Sequence, residues 1–447
     1  MKKEFVLSTE AVLSAVGITQ RFDSDNDVTV PMCVLEEVYS YNGLPEKKLV
    51  AARFVDYIDS LDQTALITSG VRQENGSLLR VVDNNKISAS LNNFSPSERR
   101  LIQTCLDRKK KANKTEVVLI HPNPAIRMKA EKENIKSQPW QDEIFPAPEH
   151  QYTGRVEVSV SQTALDLFYQ NRVISAKDVY ESKKVDWKEN LFVVLKSETG
   201  SSAVGRYTRG SIVPLTYYNS KICKADNVEQ KMLLECLLAP PEIAPLVICK
   251  GAAGTGKTFC TLAAALEKVA GYGSEEVYSQ ILVGTPAVTI EEDIGFLPGD
   301  IDDKMGPYLG GIRDNLRIIS KLKAPEKDNS QLNSDVKFIF EKGFIEIQSI
   351  GHLRGRSIPN MMFIIDEAQN IKPDIVLDIL TRAAKGTKIV LLGDPTQVNR
   401  PGLNTRRNAL VYTSEKMKGN SWCWQVTMNS DKSMRSELAQ QALKILI

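Results

Sequence analysis

At 447 residues the chain is too long for one ordinary domain, and we expect two or three. Hydrophobic residues make up 42% and charged residues 25%, a balance typical of globular proteins. The formal net charge of +2 excludes bulk attraction to nucleic acid, so any such binding must come from local basic patches. The apolar runs are shorter than a membrane span and the N-terminus lacks a signal-peptide pattern, so we expect a cytoplasmic protein that contacts no membrane.

The first 136 residues alternate short β-like runs with helical patterns. Strands are predicted at Phe5–Leu7, Val28–Val30 and Glu116–Ile120, and helices at Val34–Tyr41, Lys47–Ser60 and Glu98–Lys111. This alternation predicts a small α/β domain with a largely parallel sheet. Ser8-Thr9-Glu10 follows the first strand, and it is either a helix cap or a site at the carboxyl end of that strand.

A Pro-containing stretch at 137–150 is predicted to be a linker, and residues 151–222 form a small β-rich segment. From 223 to 447 a second α/β alternation follows, which predicts another parallel sheet. Its predicted strands are Leu246–Lys250, Gln280–Val283, Met361–Ile365 and Lys388–Leu392. The polar run KLKAPEKDNSQLNSD is interpreted as a solvent loop. Both tryptophans of SWCWQV, Trp422 and Trp424, are interpreted as strand and core residues, with base-stacking platforms as the alternative.

Seven cysteines form no C-x-x-C pair, and several lie in apolar runs. We therefore expect buried free thiols in a reducing cytoplasm. The three histidines also lack ligand spacing, so a zinc site is not expected.

The run LVICKGAAGTGKTF matches G-x-x-x-x-G-K-[ST], with an apolar strand before it and a helical pattern after it. Backbone N–H groups of such a loop surround phosphate oxygens at a helix N-terminus. Lys257 would neutralise the β- and γ-phosphates, and the Thr258 hydroxyl would face Mg²⁺. The alternative is a Gly-rich turn that binds nothing. The residues predicted here to bind ATP are Gly251, Gly254, Gly256, Lys257, Thr258 and Phe259.

Two later strands end in polar residues. MMFIIDEAQN delivers Asp366 to the Mg²⁺ water shell and places Glu367 to take a proton from the attacking water. KIVLLGDPTQV places Gln397 where its amide can sense the γ-phosphate. The alternatives are solvated turn carboxylates and an ordinary Asp-Pro turn.

Together with IGFLPGDIDDKMGPY, HLRGRSIPN, TRAAKGTKIVLLGDPTQV and MRSELA, these motifs resemble the PhoH family of ATPases from about residue 226 onward. The resemblance implies a P-loop, RecA-like core similar to superfamily-one helicases. It also implies that Gln230, in an N-x-x-Q element starting at Asn227, contacts adenine. Arg435 matches an arginine that reaches a γ-phosphate in cis or from a neighbouring subunit, although a surface role is the alternative.

Two further comparisons with the family concern arginines. Arg354 and Arg356 match an RGR signature, for which nucleic-acid backbone and an intersubunit site are both open. The family usually has Arg-Pro after the second strand of the core, whereas this chain has Thr285-Pro286. PhoH relatives assemble into rings, so the resemblance implies a homo-oligomer, with a hexamer as the candidate size.

In one branch of the family a PIN nuclease domain precedes the ATPase, and residues 1–136 resemble that three-layer α/β domain. PIN nucleases hold Mg²⁺ or Mn²⁺ with converging carboxylates. Read onto this chain, the first ligand is Ser8, the second Glu37 (or Glu36), the third Glu98 and the fourth Asn123. Two neutral ligands in place of carboxylates predict loss of tight metal binding and of cleavage, with Glu10 and Glu36 as the compensating acids.

The basic run RKKKANK ends a predicted helix, and it is either a solvated face or an RNA-backbone contact. Three functional hypotheses share the ATPase core. The first is an ATP-hydrolysing motor on single-stranded RNA with a degenerate PIN domain. The second is a metal-dependent ribonuclease, with Mn²⁺ or Mg²⁺ at an active PIN site, that is fed by the ATPase. The third is an NTPase switch whose PIN-like domain binds a protein partner.

Overall fold

The computed structural model describes most of the chain, namely residues 2–14, 17–22, 24–43, 45–84, 87, 91, 94–111, 115–140, 145–180, 182–272, 275–285, 301–353, 357–400 and 402–428. Two compact units result, Met1–Glu143 and Ile144–Ile447. The unit boundary lies inside the predicted linker 137–150. The β-rich segment at 151–222 is part of the second unit, which also contains the P-loop.

The first unit is built on a six-stranded sheet in which β1 and β2 lie at the centre. Its strands are β1 (Lys3–Leu7), β2 (Asp27–Pro31), β3 (Val71–Arg72), β4 (Leu78–Val82), β5 (Glu116–Ile120) and β6 (Lys136–Gln138), in the order β3-β4-β2-β1-β5-β6. All described pairs are parallel except β3 with β4. Its helices are α1 (Thr9–Val12), α2 (Met32–Tyr39), α3 (Pro45–Asp59), α4 (Gln63–Thr68), α5 (Pro96–Lys111) and α6 (Pro124–Lys132). The predicted parallel α/β domain is therefore confirmed.

The basic run at the end of α5 is partly used inside this unit. The Arg108 guanidinium pairs with both carboxylate oxygens of Glu4, with Nε 2.5 Å from Oε1 and Nη2 3.1 Å from Oε2. Because Glu4 on β1 is buried, this bidentate pair satisfies a charge that would otherwise be costly. Lys109 donates to the backbone oxygen of Asn134 at 2.6 Å. These two cations therefore stabilise the fold.

The second unit begins with a small sheet, in the order β7-β9-β10-β11-β8. Its elements are β7 (Arg155–Val160), α7 (Gln162–Asn171), β8 (Ile174–Ser175), β9 (Phe192–Ser197), β10 (Ser202–Thr208) and β11 (Ser211–Pro214). The β-rich character is as predicted, although α7 was not. This sheet packs on the rest of the unit, where Phe192 meets the Trp424 ring edge-to-face with the centroids 6.4 Å apart.

The main sheet of the second unit is six-stranded and parallel, in the order β14-β13-β15-β16-β12-β17. Its elements are α8 (Val228–Leu238), β12 (Leu246–Gly251), α9 (Lys257–Lys268), β13 (Gln280–Thr285), α10 (Ile301–Lys323), α11 (Asn329–Glu341), β14 (Ile345–Ser349), β15 (Met361–Ile365), α12 (Pro373–Leu380), β16 (Lys388–Gly393), α13 (Ala409–Met417) and β17 (Cys423–Met428). Strands β12 and β16 are buried along their whole length, as expected for the centre of a parallel sheet. All four predicted strands are confirmed.

A buried lysine fastens α8 to this sheet. Lys388, the first residue of β16, is 0% exposed, and its Nζ donates to the carbonyl oxygens of Cys236 (2.7 Å), Leu237 (3.1 Å) and Ala239 (2.6 Å). These oxygens belong to the last turn of α8, whose carbonyls have no partner within the helix. The lysine therefore caps the helix from the sheet.

Two predictions about local structure are wrong. KLKAPEKDNSQLNSD is not one loop, because α11 begins inside it at Asn329, with Asp328 and Gln331 forming a reciprocal capping box. Trp424 is a core residue at 1% exposure, but Trp422 precedes β17 and is 65% exposed. The seven cysteines are buried and unpaired, as predicted. Within the described part of the chain, no helix is long and apolar enough to span a membrane.

Candidate active site

The P-loop connects the end of β12 to the start of α9. Gly256 has a φ of 90° just before Lys257, the first residue of α9, so only glycine fits there without strain. At Gly251, a Cβ would lie 2.8 Å from the backbone oxygen of Met428 on the adjacent β17. Glycine therefore lets the loop pass close to the neighbouring strand.

Lys257 is folded back over this loop. Its Nζ donates to the carbonyl oxygens of Gly251 at 2.6 Å and Ala252 at 2.8 Å. The side chain is 8% exposed, so the ammonium is held at the loop by its own backbone. Gly254 also belongs to this loop, with a φ of 83°. Phe259, the third residue of α9, packs against the core.

Thr258 and Asp366 come together across the sheet. The Thr258 hydroxyl donates to Asp366 Oδ2 at 2.8 Å, which joins the start of α9 to the end of β15. Desolvation raises the pKa of Asp366, although the Thr258 hydroxyl and the Glu367 N–H, 2.9 Å from Oδ1, oppose that rise. Two oxygen ligands of the kind that Mg²⁺ prefers therefore converge where sequence reasoning placed them.

Glu367 occupies a left-handed backbone conformation, with a φ of 55°. Such a conformation costs a non-glycine residue free energy, and it recurs at functional sites. Desolvation raises the pKa of the Glu367 carboxyl and the charges of Asp366 and Asp394 add to the rise, while the hydrogen bond from Gln369 and the charge of Lys257 oppose it. A carboxylate with a raised pKa is a stronger base than an ordinary glutamate.

Gln369 connects Glu367 to the loop that follows β16. Its Nε2 donates to Glu367 Oε2 at 2.6 Å and to the backbone oxygen of Gln397 at 3.1 Å, while its Oε1 accepts from the Asp394 N–H at 3.2 Å. Gln369 is 0% exposed, and a Cβ at Gly393 would overlap its Oε1. Sequence reasoning missed this residue. The signal that could have identified it is a glutamine placed two residues after the acid pair that follows a buried strand.

Gln230 reaches the P-loop from the side. Its Nε2 donates to the Thr255 backbone oxygen at 3.3 Å, and its Oε1 accepts from the Asp226 N–H at 2.8 Å. Asn227 caps α8 by accepting the Gln230 N–H at 2.9 Å. The structure thus brings the predicted adenine-contacting element beside the phosphate-binding loop.

Several predicted residues lie outside the described part of the chain, namely Pro286, Arg354, Arg356 and Arg435. Thr285, which replaces the family's arginine, is the last residue of β13 and is 5% exposed. Gln397 is half-buried, and its N–H donates to the Asp394 oxygen at 3.0 Å.

In the first unit, the two neutral residues at the predicted metal-ligand positions are helix caps. Ser8 is fully buried, and its Oγ accepts the Ala11 N–H at 3.2 Å to begin α1. Asn123 Oδ1 accepts the Ala125 N–H at 2.9 Å to begin α6. Each side chain therefore satisfies a backbone donor that the helix leaves unpaired.

The remaining acids at this end of the sheet are held by protein groups. Glu37 accepts a hydrogen bond from the Thr9 hydroxyl, and Glu98 Oε2 accepts the Ser95 N–H at 2.9 Å. Glu10 Oε2 lies 3.4 Å from His121 Nε2. Within the described residues, no cluster of three or more His, Cys, Asp or Glu side chains has a metal-binding arrangement.

Glu36, the alternative second ligand, pairs with a cation instead. Arg100 Nη1 on α5 lies 3.5 Å from Glu36 Oε2. Both side chains are exposed, so the pair contributes little to stability. It does, however, place a guanidinium near the acids of α2.

Known proteins agree with this architecture. The family described as PhoH-like protein matches residues 222–446, and the PIN domain family matches residues 5–141. The chain is 32% identical to Protein PhoH2 of Bacillus subtilis (strain 168) over 460 residues that cover 100% of both chains. It is 26% identical to Protein PhoH2 of Thermobispora bispora over 456 residues, covering 99% of this chain and 96% of that relative.

A shorter relative matches less than half of the chain. The PhoH-like protein of Synechocystis sp. is 33% identical over 201 residues, which are 44% of this chain and 56% of that protein. The parallel sheet, the P-loop at its carboxyl edge and the full-length relatives lead to one conclusion. The chain belongs to the PhoH family, with an ATPase-type P-loop domain at its C-terminal end and a PIN domain at its N-terminal end.

Proposed function

We propose that this protein hydrolyses ATP and couples the hydrolysis to binding and remodelling of single-stranded RNA, with a PIN domain that positions the strand without cutting it. The observation that carries the hydrolase part is the 2.8 Å contact between Thr258 and Asp366, with Lys257 and Glu367 beside it. These groups come from two elements far apart in sequence. They meet at the carboxyl edge of the sheet, where open α/β folds bind ligands.

Binding of ATP begins with the P-loop. Lys257 exchanges the carbonyl oxygens of Gly251 and Ala252 for the more negative β- and γ-phosphate oxygens, while the loop N–H groups and the start of α9 receive the rest of the charge. Thr258 and Asp366 would hold Mg²⁺, which would neutralise developing phosphate charge. Gln230 contacts the adenine from beside Thr255.

Hydrolysis requires a positioned base. Glu367 takes the proton of the attacking water, since its raised pKa makes its carboxylate a stronger acceptor. Gln369 orients that carboxylate and links it to the loop that carries Gln397, whose amide reports the γ-phosphate. Arg435 completes the site in cis or from a neighbouring subunit of a homo-oligomer, with a hexamer as the size we propose.

The RNA part is supported by the domain content, a PIN domain joined to an ATPase with a helicase-like core. The non-cleaving role of the PIN domain is supported by Ser8 and Asn123, because both side chains serve as helix caps at positions where metal-binding acids are expected. Two missing charges weaken divalent-ion binding by several kcal/mol at an effective dielectric near 20.

The test is the ATP hydrolysis rate of the full chain with and without single-stranded RNA and DNA. We expect stimulation by RNA, and loss of turnover in Lys257→Ala and Glu367→Gln, with ATP binding kept in Glu367→Gln. Glu341→Gln, an exposed glutamate on α11, is the matched control. Normal turnover in either active-site variant refutes the hydrolase assignment, and equal rates without and with nucleic acid favour the protein-partner switch.

The nuclease alternative has its own assay. Labelled single-stranded RNA is incubated with the protein and Mn²⁺, and we expect it to stay intact. Cleavage that disappears in Glu37→Ala and Glu98→Ala would show that the PIN domain is active.

A further inference from the structure

A cavity of about 550 Å³ opens between the small sheet and the main sheet of the second unit. Its walls include Arg206 and Arg209 from the β10–β11 hairpin, and Ile243, Ser421 and Trp424 from the main-sheet side. Ile243 and Ser421 precede β12 and β17, so the cavity lies at the amino-terminal edge of the main sheet. The ATP-site residues follow the carboxyl ends of the same strands, so this cavity is a separate site.

The wall of the cavity carries an excess of positive charge. Arg206 and Arg209 contribute two guanidinium groups, whereas Glu189 is the one carboxylate in the lining. Both oxygens of Glu189 are already used, since Oε1 accepts from the Thr208 hydroxyl at 2.5 Å and Oε2 from the Arg209 N–H at 3.1 Å. Two guanidinium groups and one carboxylate leave the lining with a net charge of +1, which favours an anion.

Arg206 is fixed in place over an aromatic ring. Its guanidinium carbon lies 4.1 Å from the centroid of the Trp424 ring, and its Nη1 donates to Asn190 Oδ1 at 2.8 Å. Arg206 therefore lines the cavity as a fixed, stacked guanidinium, a group suited to an acceptor such as a phosphate oxygen.

Trp422 directly follows the cavity-wall residue Ser421, and its backbone is hydrogen-bonded on both sides. Its N–H donates to Asn420 Oδ1 at 2.9 Å, and its carbonyl oxygen accepts the Leu246 N–H at 3.2 Å. Asn190 Nδ2 donates to the backbone oxygens of Asn420 (3.2 Å) and Ser421 (3.0 Å). The indole is nevertheless 65% exposed. A large aromatic side chain is therefore presented to solvent without loss of backbone order.

Guanidinium groups beside an exposed indole match the chemistry of an unpaired nucleotide chain. Phosphates bind the cations, and a base stacks on the aromatic face because every base has one. We propose that Arg206, Arg209 and Trp422 form a binding site for single-stranded RNA at the amino-terminal edge of the ATPase sheet, with phosphate on the arginines and a base on the indole. This inference rests on the RNA part of the proposed function.

The site is also connected to the P-loop. Trp424 pairs with Val247 on β12, the strand that ends in Gly251, and β17 continues to Met428 beside that glycine. RNA bound at Arg206, which stacks on Trp424, would therefore act on β17 and β12, the two strands that border the phosphate loop. RNA stimulation of ATP hydrolysis is expected to depend on this contact.

The test measures the affinity of the full chain for a labelled oligouridylate of about 12 nucleotides by fluorescence anisotropy. We expect Trp422→Ala and Arg209→Asn each to weaken binding about tenfold, with Trp422→Phe and Arg209→Lys close to the unmodified protein. Asn suits position 209 because φ is 48° there, a conformation that asparagine tolerates. Because Arg209→Asn removes one phosphate contact, it should also make the slope of log affinity against log salt concentration shallower by about one.

Matched controls lie outside the cavity in the same unit. Arg172→Asn removes another exposed arginine with a positive φ, of 58°, and Tyr180→Ala removes another aromatic side chain, 56% exposed. Both should bind as the unmodified protein does, with equal thermal unfolding midpoints for all variants. Suppose that the unmodified protein binds RNA but Trp422→Ala and Arg209→Asn lose no more affinity than the two controls. The cavity assignment is then overturned, and the proposed function stands. If the unmodified protein binds no RNA, both are overturned.

Discussion

The side-chain nitrogen Nε2 of Gln369 lies 2.6 Å from Oε2 of Glu367. The same amide holds the loop after β16 through the Gln397 oxygen and the Asp394 N–H. One buried side chain therefore fixes the carboxylate that we assign as the base and the loop that we assign as the γ-phosphate sensor. Their relative position depends on a residue that contacts neither ATP nor water in our proposal.

Replacing Gln369 by Leu tests this link. The change keeps the approximate volume but removes the donor to Glu367, so the base loses its orientation. We expect kcat for ATP hydrolysis to fall about 10- to 100-fold, or roughly 1.4 to 2.7 kcal/mol, with KM within about twofold. Gln425→Leu is the control, because Gln425 is also buried but pairs with Ser414. A rise in KM with unchanged kcat would contradict the orienting role.

Restoring carboxylates to the PIN domain tests whether its metal site was lost at two positions. Aspartate caps helices as well as serine or asparagine does, so Ser8→Asp with Asn123→Asp should keep α1 and α6 while adding two hard ligands. We expect the double variant to bind Mn²⁺ at least about tenfold more tightly than the unmodified chain, measured by calorimetry. The double Ser8→Ala, Asn123→Ala variant controls for the loss of caps. Tight Mn²⁺ binding by the unmodified chain would refute the lost-site interpretation.

His121 makes the stability of the PIN domain depend on pH. Desolvation lowers its pKa, and Arg127 lowers it further, while Glu10 and Glu98 oppose the shift. The fold also uses the neutral ring, because Nδ1 accepts the Asn123 N–H at 3.1 Å. At pH values between the lowered pKa and the ordinary value of 6.5, His121 is therefore protonated in the unfolded chain and neutral in the folded domain.

The free energy of unfolding of this domain should accordingly fall as the pH drops below about 6.5, and this contribution should end below the folded pKa. Hydrogen exchange of peptides from β1 and β5 in the full chain measures the effect between about pH 5 and pH 7. His121→Gln should remove this part of the slope. An unchanged slope in the variant would assign the acid sensitivity to other groups.

Lys388→Met tests the capping of α8 from the sheet. The change leaves the oxygens of Cys236, Leu237 and Ala239 without the ammonium in a buried region. Burial lowers the pKa of Lys388 to about 7, and the groups that lose their donor are neutral carbonyls. We expect a loss of about 1 to 3 kcal/mol in the free energy of unfolding, measured by urea denaturation. Lys385→Met, at an exposed position, should change it by less than about 0.5 kcal/mol. Equal stabilities for the two variants would show that the three contacts contribute nothing.

Much of the ATP site could be predicted because its parts are local patterns. A phosphate loop is a short run in which glycine conformations and a helix start are encoded by neighbouring residues, and Lys257 and Thr258 follow from it. Asp366 and Glu367 stand directly after an apolar run whose length and composition indicate a buried strand. Parallel strands end at a common edge, so their proximity to the P-loop was expected, and Thr258 and Asp366 do meet.

Where local pattern and burial disagree, the sequence was misleading. Trp422 and Trp424 alternate in an apolar run, yet Trp424 lies inside and Trp422 outside, because β17 begins only at Cys423. The polar composition around Asn329 predicts a loop, but Asp328 and Gln331 form a capping box that begins a helix there. Strand and helix boundaries depend on pairing partners and caps, which composition alone does not reveal.

By itself, then, the sequence determined the order of the domains, the phosphate loop, the acidic strand end beside it and the positions where the PIN domain lacks carboxylates. Each of these is a property of residues adjacent in the chain. Only the tertiary structure decided that Gln369 connects two strand ends, that Lys388 caps a helix, and that Arg206 stacks on Trp424. These contacts join residues distant in sequence, and their existence depends on sheet order, register and burial rather than on any local run.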